Sequence, residues 1–518
     1  MKQIFRKAIA LLLTVTLSFG MVPKPNATVL AASPPTPWDG TVASSYASGS
    51  GTQRDPYLIS DARELAYLSQ RTNSGHSYAG SYFALSNSID LNGLQWTPIN
   101  GFSGVFDGRD RLIANLYIDG MADYQALFGT IANAEIKNLK VPNAKVSGGS
   151  YCAGVVGAAT ASSISDCHTD ADIYIAAANV NYIGGIVGLA SEMSVVDGCS
   201  FSGSIFRAGD AAGESTGGIA GGLSDSTLLS SSNSGDIYGM YKTGGLVGSV
   251  VVKEATIAVS RIENSINKGT VVGSNAVGGV AGHIATYGGA GNVAGIVRSC
   301  NVGSVRGNNY IGGIAGDTSG EVSVTMCYNT GDIEGISFIG GLIGRFDQDT
   351  TSVISGIGIC YNAGDVSGTG SFVGALIGLN YNTVLRSFFT NPIGGIGLDL
   401  SGTPASNQSY MTLVSDEALK GLASELGANF GRDSRNVNKG YPILNGVDYG
   451  NDRDKLEGPP DEVRMELAPV ASYEARRYAN QLPQCEGDPV DVVNGNMTRL
   501  QTPTGTPSHT PMASGTSY

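Results

Sequence analysis

The sequence predicts an all-β protein: a right-handed parallel β-helix with short capping helices at both ends and a disordered C-terminal tail. Three observations carry this expectation. A glycine phrase recurs eight times, a second phrase centred on asparagine falls between its copies, and the stretch holding both contains no proline. The glycine phrase is a glycine pair or near-pair, two aliphatic residues and a glycine. It runs from Ala153–Gly157 through Gly184–Gly188, Gly217–Gly221, Gly244–Gly248, Gly278–Gly282, Gly312–Gly316 and Gly340–Gly344 to Gly374–Gly378. Its final glycines stand 31, 33, 27, 34, 34, 28 and 34 residues apart, a period typical of solenoids, in which each repeat buries its apolar face against its neighbours.

The second phrase reads small, any, Asn, any, Gly, polar, Ile or Val. It occurs at Ser231–Ile237, Ser265–Val271, Ser299–Val305, Cys327–Ile333 and Cys360–Val366, and in worn form at Cys167–Ile173 and Cys199–Ile205. From its glycine to the end of the next glycine phrase is 17, 18, 13, 13, 13, 13 and 14 residues, whereas the return connection is 14, 15, 14, 21, 21, 15 and 20. One connection is nearly constant, so insertions are expected on one side, and that variable side is the expected contact surface.

Composition decides between helix and strand. No proline lies between Pro142 and Pro392, yet 47 of the 74 glycines do. Proline is excluded from central strands because it lacks a ladder donor, while each glycine costs a helix interior about 1 kcal/mol. Strands with tight corners satisfy both facts. Asn233, Asn267, Asn301, Asn329 and Asn362 hold the third place of the second phrase. Stacked at the strand spacing, their amides are expected to bond one another as an asparagine ladder, and Asn and Gly are expected to take the left-handed corner conformation.

These interleaved phrases resemble the GLUG repeats of bacterial secreted and surface proteins. The flanks share the resemblance: Gly51–Ile59 as lead-in, Phe102–Gly108 with Leu127–Gly129 as first coils, and Gly440–Leu444 as ending. It covers about residues 50–445 and implies a β-helix of adhesin-like type. GLUG-like repeats also occur in accessory regions of large exported enzymes, so activity does not follow from fold.

Along the chain, Lys2, Arg6 and Lys7 precede the apolar run Ala8–Phe19, and Val29–Leu30–Ala31 supplies small residues for cleavage. This pattern predicts a signal peptide over 1–31 and export to the cell surface or medium. The run is shorter than the ~20 residues a spanning helix needs, so no membrane span is expected after its removal. Residues 32–50 read as a Pro/Ser/Gly linker, and 51–143 as an N-terminal cap with the first coils. Asp61–Glu64 has capping-box spacing, and Ala62, Leu65, Ala66 and Leu68 share a face, predicting a helix over 61–70. The repeats fill 144–400. A C-terminal cap is expected over 401–450, with Ser415 opening and Gly427 closing a helix that bears Leu419, Leu422 and Leu426. Residues 451–518 hold eight of 19 prolines and no repeat phrase, so they read as a disordered tail. Within that tail, Gly487–Asn496 resembles the lead-in of Rhs (YD-repeat) proteins, with Asn494 in place of an expected threonine. The resemblance implies the front end of an exported toxin or surface protein.

The net charge of −13, taken to −17 by removal of Lys2, Arg6, Lys7 and Lys24, excludes a phosphate-neutralising nucleic-acid face. A glycan or a surface protein is the expected partner. Aromatic residues recur two places before the glycine phrase: Tyr151, Tyr182, Tyr310, Phe338 and Phe372. In register they form either a strip of π faces able to hold sugar rings or a column packed inside the coil or against a loop. Asp236, Asp332 and Asp365 share another column, the last two on adjacent rungs, where they either point to solvent or hold calcium; no other cofactor is expected. Of the seven cysteines, Cys167, Cys199, Cys327 and Cys360 share a column with Ser231, Ser265 and Ser299. It reads as a buried column of small side chains or, at neighbouring turns, a disulfide. The four histidines show no metal-ligand spacing, and no phosphate loop or nucleophile elbow is present. The sequence therefore points to a non-catalytic recognition or spacer module. A glycan lyase or hydrolase on the same fold is the alternative.

Overall fold

The structure, a computed structural model, describes residues 35–450 apart from 176, 178, 208–213, 254–258, 288–292, 348–354 and 403. The expected signal peptide, the tail with its Rhs-like segment, and Cys485 lie outside the described residues.

From Tyr57 to Leu413 the described chain winds as a parallel β-helix. Its strands form a 28-stranded sheet, an 11-stranded sheet and an 8-stranded sheet, each running along the stack. The strands of the eight-stranded sheet each end on the first residue of one of the eight glycine phrases. One turn shows the plan: Ile183–Gly184 in the eight-stranded sheet, a corner at Gly185–Ile186, Val187–Ser191 in the eleven-stranded sheet, then Val195–Asp197, Ser200–Phe201 and Ser204–Arg207 in the long sheet. Successive turns pair in parallel with like residues opposed, as in Val277↔Ile311, Ile311↔Ile339 and Asn301↔Asn329.

The glycine phrase is explained at two of its positions. A Cβ on Gly313 would lie closer than 3.0 Å to the side chain of Asn329 and to the carbonyl of Gly341. The same clash joins Gly245 to Asn267, Gly279 to Asn301 and Gly341 to Asn362. This glycine therefore makes room, across the coil, for the buried amide of the other phrase, which links the two phrases physically. A Cβ on Gly344 would meet the backbone of Tyr310 and Ile311, because the two strands flanking the corner approach backbone to backbone.

The interior holds one aliphatic column after another, among them Ile186, Ile219, Leu246, Val280, Ile314, Leu342 and Leu376, all fully buried. The small-residue column is buried too. Cys199 donates its backbone N–H to Ser231 Oγ at 3.1 Å, Ser231 to Ser265 Oγ at 3.1 Å and Ser265 to Ser299 Oγ at 3.2 Å. The six described cysteines are unpaired thiols.

The left-handed corners differ from the expectation. Ser230, Asn264, Arg298, Met326 and Ile359 carry positive φ, one place before the second phrase. The phrase's own Asn and Gly do not, because the asparagine turns inward to bond its column and the glycine is needed for close stacking, Gly331 on Gly303 and Gly364 on Gly331.

At the N-terminal end α1 (Ala62–Asn73) is capped by Asp61, whose carboxylate accepts from Glu64 N at 3.0 Å while Glu64 Oε2 accepts from Ser60 N at 2.6 Å. It buries Leu65 and Leu68 and runs three residues beyond Gln70, the predicted end. Residues 35–50 are not a linker: Trp38 packs edge-on against Trp96 with ring centroids 5.7 Å apart and Tyr46 joins Tyr57, Tyr67, Tyr78 and Phe83. Aromatic burial outweighs the loop-forming composition there. At the other end, α2 (Pro404–Ser409) brings Asn407 to the last turn, where it accepts from Val384 N at 2.9 Å and donates to Asn382 O at 3.0 Å. The predicted helix at 415–427 is split into α3 (Asp416–Gly421) and α4 (Ala423–Leu426). With the segment that follows, it covers the flank of several turns: Leu419, Leu426, Phe430, Tyr441 and Tyr449 pack on Cys300, Tyr328, Tyr361 and Phe388. Tyr328 and Tyr361 project outward as stacked rings, and this segment supplies the apolar cover they need.

Candidate functional site

The asparagine column is a continuous chain of amide bonds. Asn233 Nδ2 donates to Asn267 Oδ1 at 2.8 Å, Asn267 to Asn301 at 2.7 Å, Asn301 to Asn329 at 2.7 Å and Asn329 to Asn362 at 2.8 Å. Each amide also donates to the carbonyl of the glycine two residues on. All five are fully buried, so they hold turns together and do not face a ligand. Phe201 and Phe389 end the column, opposite Asn233 and Asn362.

The aromatic column lies at the start of the eight-stranded sheet, and all five predicted members are half-buried. Each carries positive φ: 62° at Tyr151, 64° at Tyr182, 59° at Tyr310, 60° at Phe338 and 64° at Phe372. That conformation is costly for a bulky side chain, and it swings every ring into line. The rings stack on one another: Tyr151 on Tyr182 at 5.5 Å, Tyr310 on Phe338 at 4.9 Å and Phe338 on Phe372 at 5.0 Å. Stacked in this way, the rings turn their faces to one another and their edges outward along the column.

Two features of this column were not read from the sequence. Tyr124 extends it, stacked on Tyr151 at 4.7 Å and 4° and 37% exposed. Its place ahead of Leu127–Phe128–Gly129 was the available signal, hidden because that first coil lacks the glycine pair. The column is also interrupted, since Ser215, Lys242 and Ala276 occupy the three intervening turns, also at positive φ. Two aromatic runs thus bracket a notch. Lys242 Nζ pairs there with Glu214 Oε2 at 2.6 Å, and Tyr241 is exposed.

Beside the notch an outward column of the eleven-stranded sheet reads Ser249, His283, Asp317, Arg345 on consecutive turns. Arg345 grips Asp317 with two bonds, Nε to Oδ1 at 2.7 Å and Nη2 to Oδ2 at 2.9 Å, and its guanidinium lies 4.6 Å from the Tyr310 ring centroid. His283, 8% exposed, has Nε2 4.0 Å from Asp317 Oδ2 and no partner on Nδ1. Burial pushes its pKa below the ordinary value of 6.5, with Asp317 opposing and Lys242, Arg345 and Glu214 acting more weakly. The residue types of a nucleophilic triad are thus adjacent, but Arg345 engages both carboxylate oxygens. The side of His283 that a nucleophile-and-carboxylate relay would use is not assembled.

Asp332 and Asp365 are exposed, and Asp332 Oδ1 accepts the backbone N–H of Asp365 at 3.3 Å. Asp236 Oδ1 likewise accepts from Thr270 N at 3.1 Å. Among the described residues no group of three His, Cys, Asp or Glu side chains comes together to hold a metal. The long insertions leave the far end of the eleven-stranded sheet, whereas the aromatic column lies in the constant connection. The predicted variable side and the predicted aromatic strip therefore use different edges of the stack.

No family model matches this chain. Halomucin of Haloquadratum walsbyi is 36% identical over 121 residues, 21% of this chain and 1% of that protein. The chain thus spans about 1% of the length of that curated relative. Among solved structures, a proposed immunoglobulin A1 protease from Bacteroides ovatus aligns over 78% of this chain and 96% of that one, at 16% identity and a TM-score of 0.35. Among the described residues no helix is long and apolar enough to cross a membrane.

Proposed function

We propose that this chain is an exported β-solenoid serving as a recognition or spacer module, and that it engages a glycan or a surface protein at the notch in its aromatic column. The observation that carries the reading is the notch itself. Aromatic runs ending at Tyr182 and beginning at Tyr310 bracket Lys242, Glu214 and Tyr241, and a strained backbone conformation is kept through every turn of the column. Strain at residues whose rings stay half-exposed is a recognised mark of a working surface. Aromatic edges beside paired charges suit a ligand with both apolar and hydroxyl faces. The expected signal peptide and the resemblance to GLUG repeats support an extracellular setting.

The test is retention of the chain by a panel of immobilised polysaccharides, repeated with Lys242→Ala and Tyr182→Ala. Retention by at least one polymer, weakened tenfold or more by both substitutions, is expected. Release of oligosaccharides without retention on intact polymer would overturn the recognition reading in favour of a glycan-cleaving enzyme.

A further inference from the structure

Inside the coil one column breaks its own rule. On successive turns the inward position that closes the long sheet is Gly239, Gly273, Gly307, Gly335 and Gly368, each facing the opposite wall of its turn. The wall residues are Thr243, Val277, Ile311, Ile339 and Val373. The facing residue fills the space, and a Cβ on each glycine would press closer than 3.0 Å against it. One turn earlier the same column holds Arg207. Ile175 pairs with Arg207 from below, and the register Ser204↔Asp236, Ile205↔Ile237, Phe206↔Tyr238 sets Gly239 above it.

Arg207 is 5% exposed, and its Nε, Nη1 and Nη2 have no hydrogen-bond partner. Burial lowers its pKa below the ordinary guanidinium value. The wall opposite changes at the same place. Where later turns carry Val277 and Ile311, Thr216 and Thr243 stand in register, fully buried, and their Oγ1 atoms have no partner either. Thr243 Oγ1 points toward the Arg207 column, since a Cβ on Gly239 would fall closer than 3.0 Å to it. An unpaired guanidinium and two unpaired hydroxyls in a buried interior are each strongly unfavourable, and three departures from an aliphatic and glycine pattern coincide on two adjacent turns of the stack.

We propose that Arg207, Thr216 and Thr243 form an internal anion site that takes a small, fully deprotonated ion of the halide class. The three side chains offer donors: the guanidinium has no acceptor, and a threonine hydroxyl can turn its hydrogen toward an anion. A monatomic anion needs only donors around it, and the guanidinium and the two hydroxyl hydrogens supply them. The ion neutralises the charge that Arg207 carries into the coil and ties the long sheet to the eight-stranded sheet at that turn.

The test is thermal unfolding of the full chain in sodium chloride and in sodium gluconate at equal ionic strength, for the native sequence, Arg207→Met and Arg207→Gly. The native midpoint is expected to rise with chloride and saturate, by a few degrees, while both variants respond equally to the two salts. Crystals soaked in bromide are expected to show an anomalous peak within hydrogen-bond distance of the guanidinium. Equal native midpoints in the two salts, or a bromide-free Arg207 contacted by water or by another part of the chain, would overturn the proposal. Should both variants fail to fold, the native chloride response and the bromide map decide it.

Discussion

Replacing Asn329 with alanine tests the link between the two sequence phrases. Asn329 takes part in four buried hydrogen bonds: its Nδ2 donates to Gly331 O at 2.7 Å and Asn362 Oδ1 at 2.8 Å, and its Oδ1 accepts from Asn301 Nδ2 at 2.7 Å and Gly331 N at 3.3 Å. At about 1 kcal/mol per buried bond, Asn329→Ala is expected to cost about 4 kcal/mol. Asn301 takes part in three such bonds, to Gly303 O, to Asn329 and from Asn267, so Asn301→Ala is expected to cost about 3 kcal/mol. The two share one bond. The double variant should therefore fall short of the sum by about 1 kcal/mol, whereas Asn233→Ala, with no bond to Asn329, should add to Asn329→Ala within about 0.5 kcal/mol. Urea unfolding followed by far-ultraviolet circular dichroism measures all of these, provided the denaturant slope is unchanged between variants. A cost below about 1 kcal/mol for Asn329→Ala, or equal coupling in the adjacent and distant pairs, would refute the reading that the amides bond as a chain.

Gly313→Ala is expected to destabilise by at least about 2 kcal/mol, because its methyl would enter the space of Asn329 and the Gly341 carbonyl. Denaturation of that variant beside Gly394→Ala, where no atom lies within 4 Å but φ is 98°, separates clash from backbone strain. His283 has a folded pKa below its unfolded value, so the unfolded chain binds the proton more readily. Stability should be intact above about 6.5 and fall as pH drops toward the folded pKa, and His283→Gln should flatten that part of the profile. The six described cysteines are buried, and burial pushes the Cys300 thiol up to about 12. With Cys485→Ser in place, a thiol reagent at pH 8 should label none of them in the native state and all six once the chain is unfolded in urea.

The architecture was legible because a parallel solenoid repeats its environment. Each position meets itself one turn away, so a requirement such as the close approach at Gly344 or the amide chain at Asn301 is written again every thirty residues. The helix start at Asp61 was legible for a local reason, since its capping bonds join residues only three and four apart, with Glu64 reaching back to Ser60 N rather than to Asp61 N. The candidate site was legible only as a column. Spacing put Tyr151, Tyr182, Tyr310, Phe338 and Phe372 in line, but whether rings face solvent or each other depends on φ, and the positive φ at these residues decides for stacking.

What the sequence determined by itself is therefore whatever recurs: winding, strand columns and the amide chain. Tertiary structure alone decided what does not recur. Residues 35–50 fold onto the first turns, the segment after Ser415 covers Tyr328 and Tyr361 on the flank, and Lys242, His283, Asp317 and Arg345 meet beside the notch. Arg207 lies buried in a column that is glycine on the following turns. Such meetings involve residues distant in sequence and present once, so no periodicity announces them; they exist only because main-chain bonding between turns brings those turns into register.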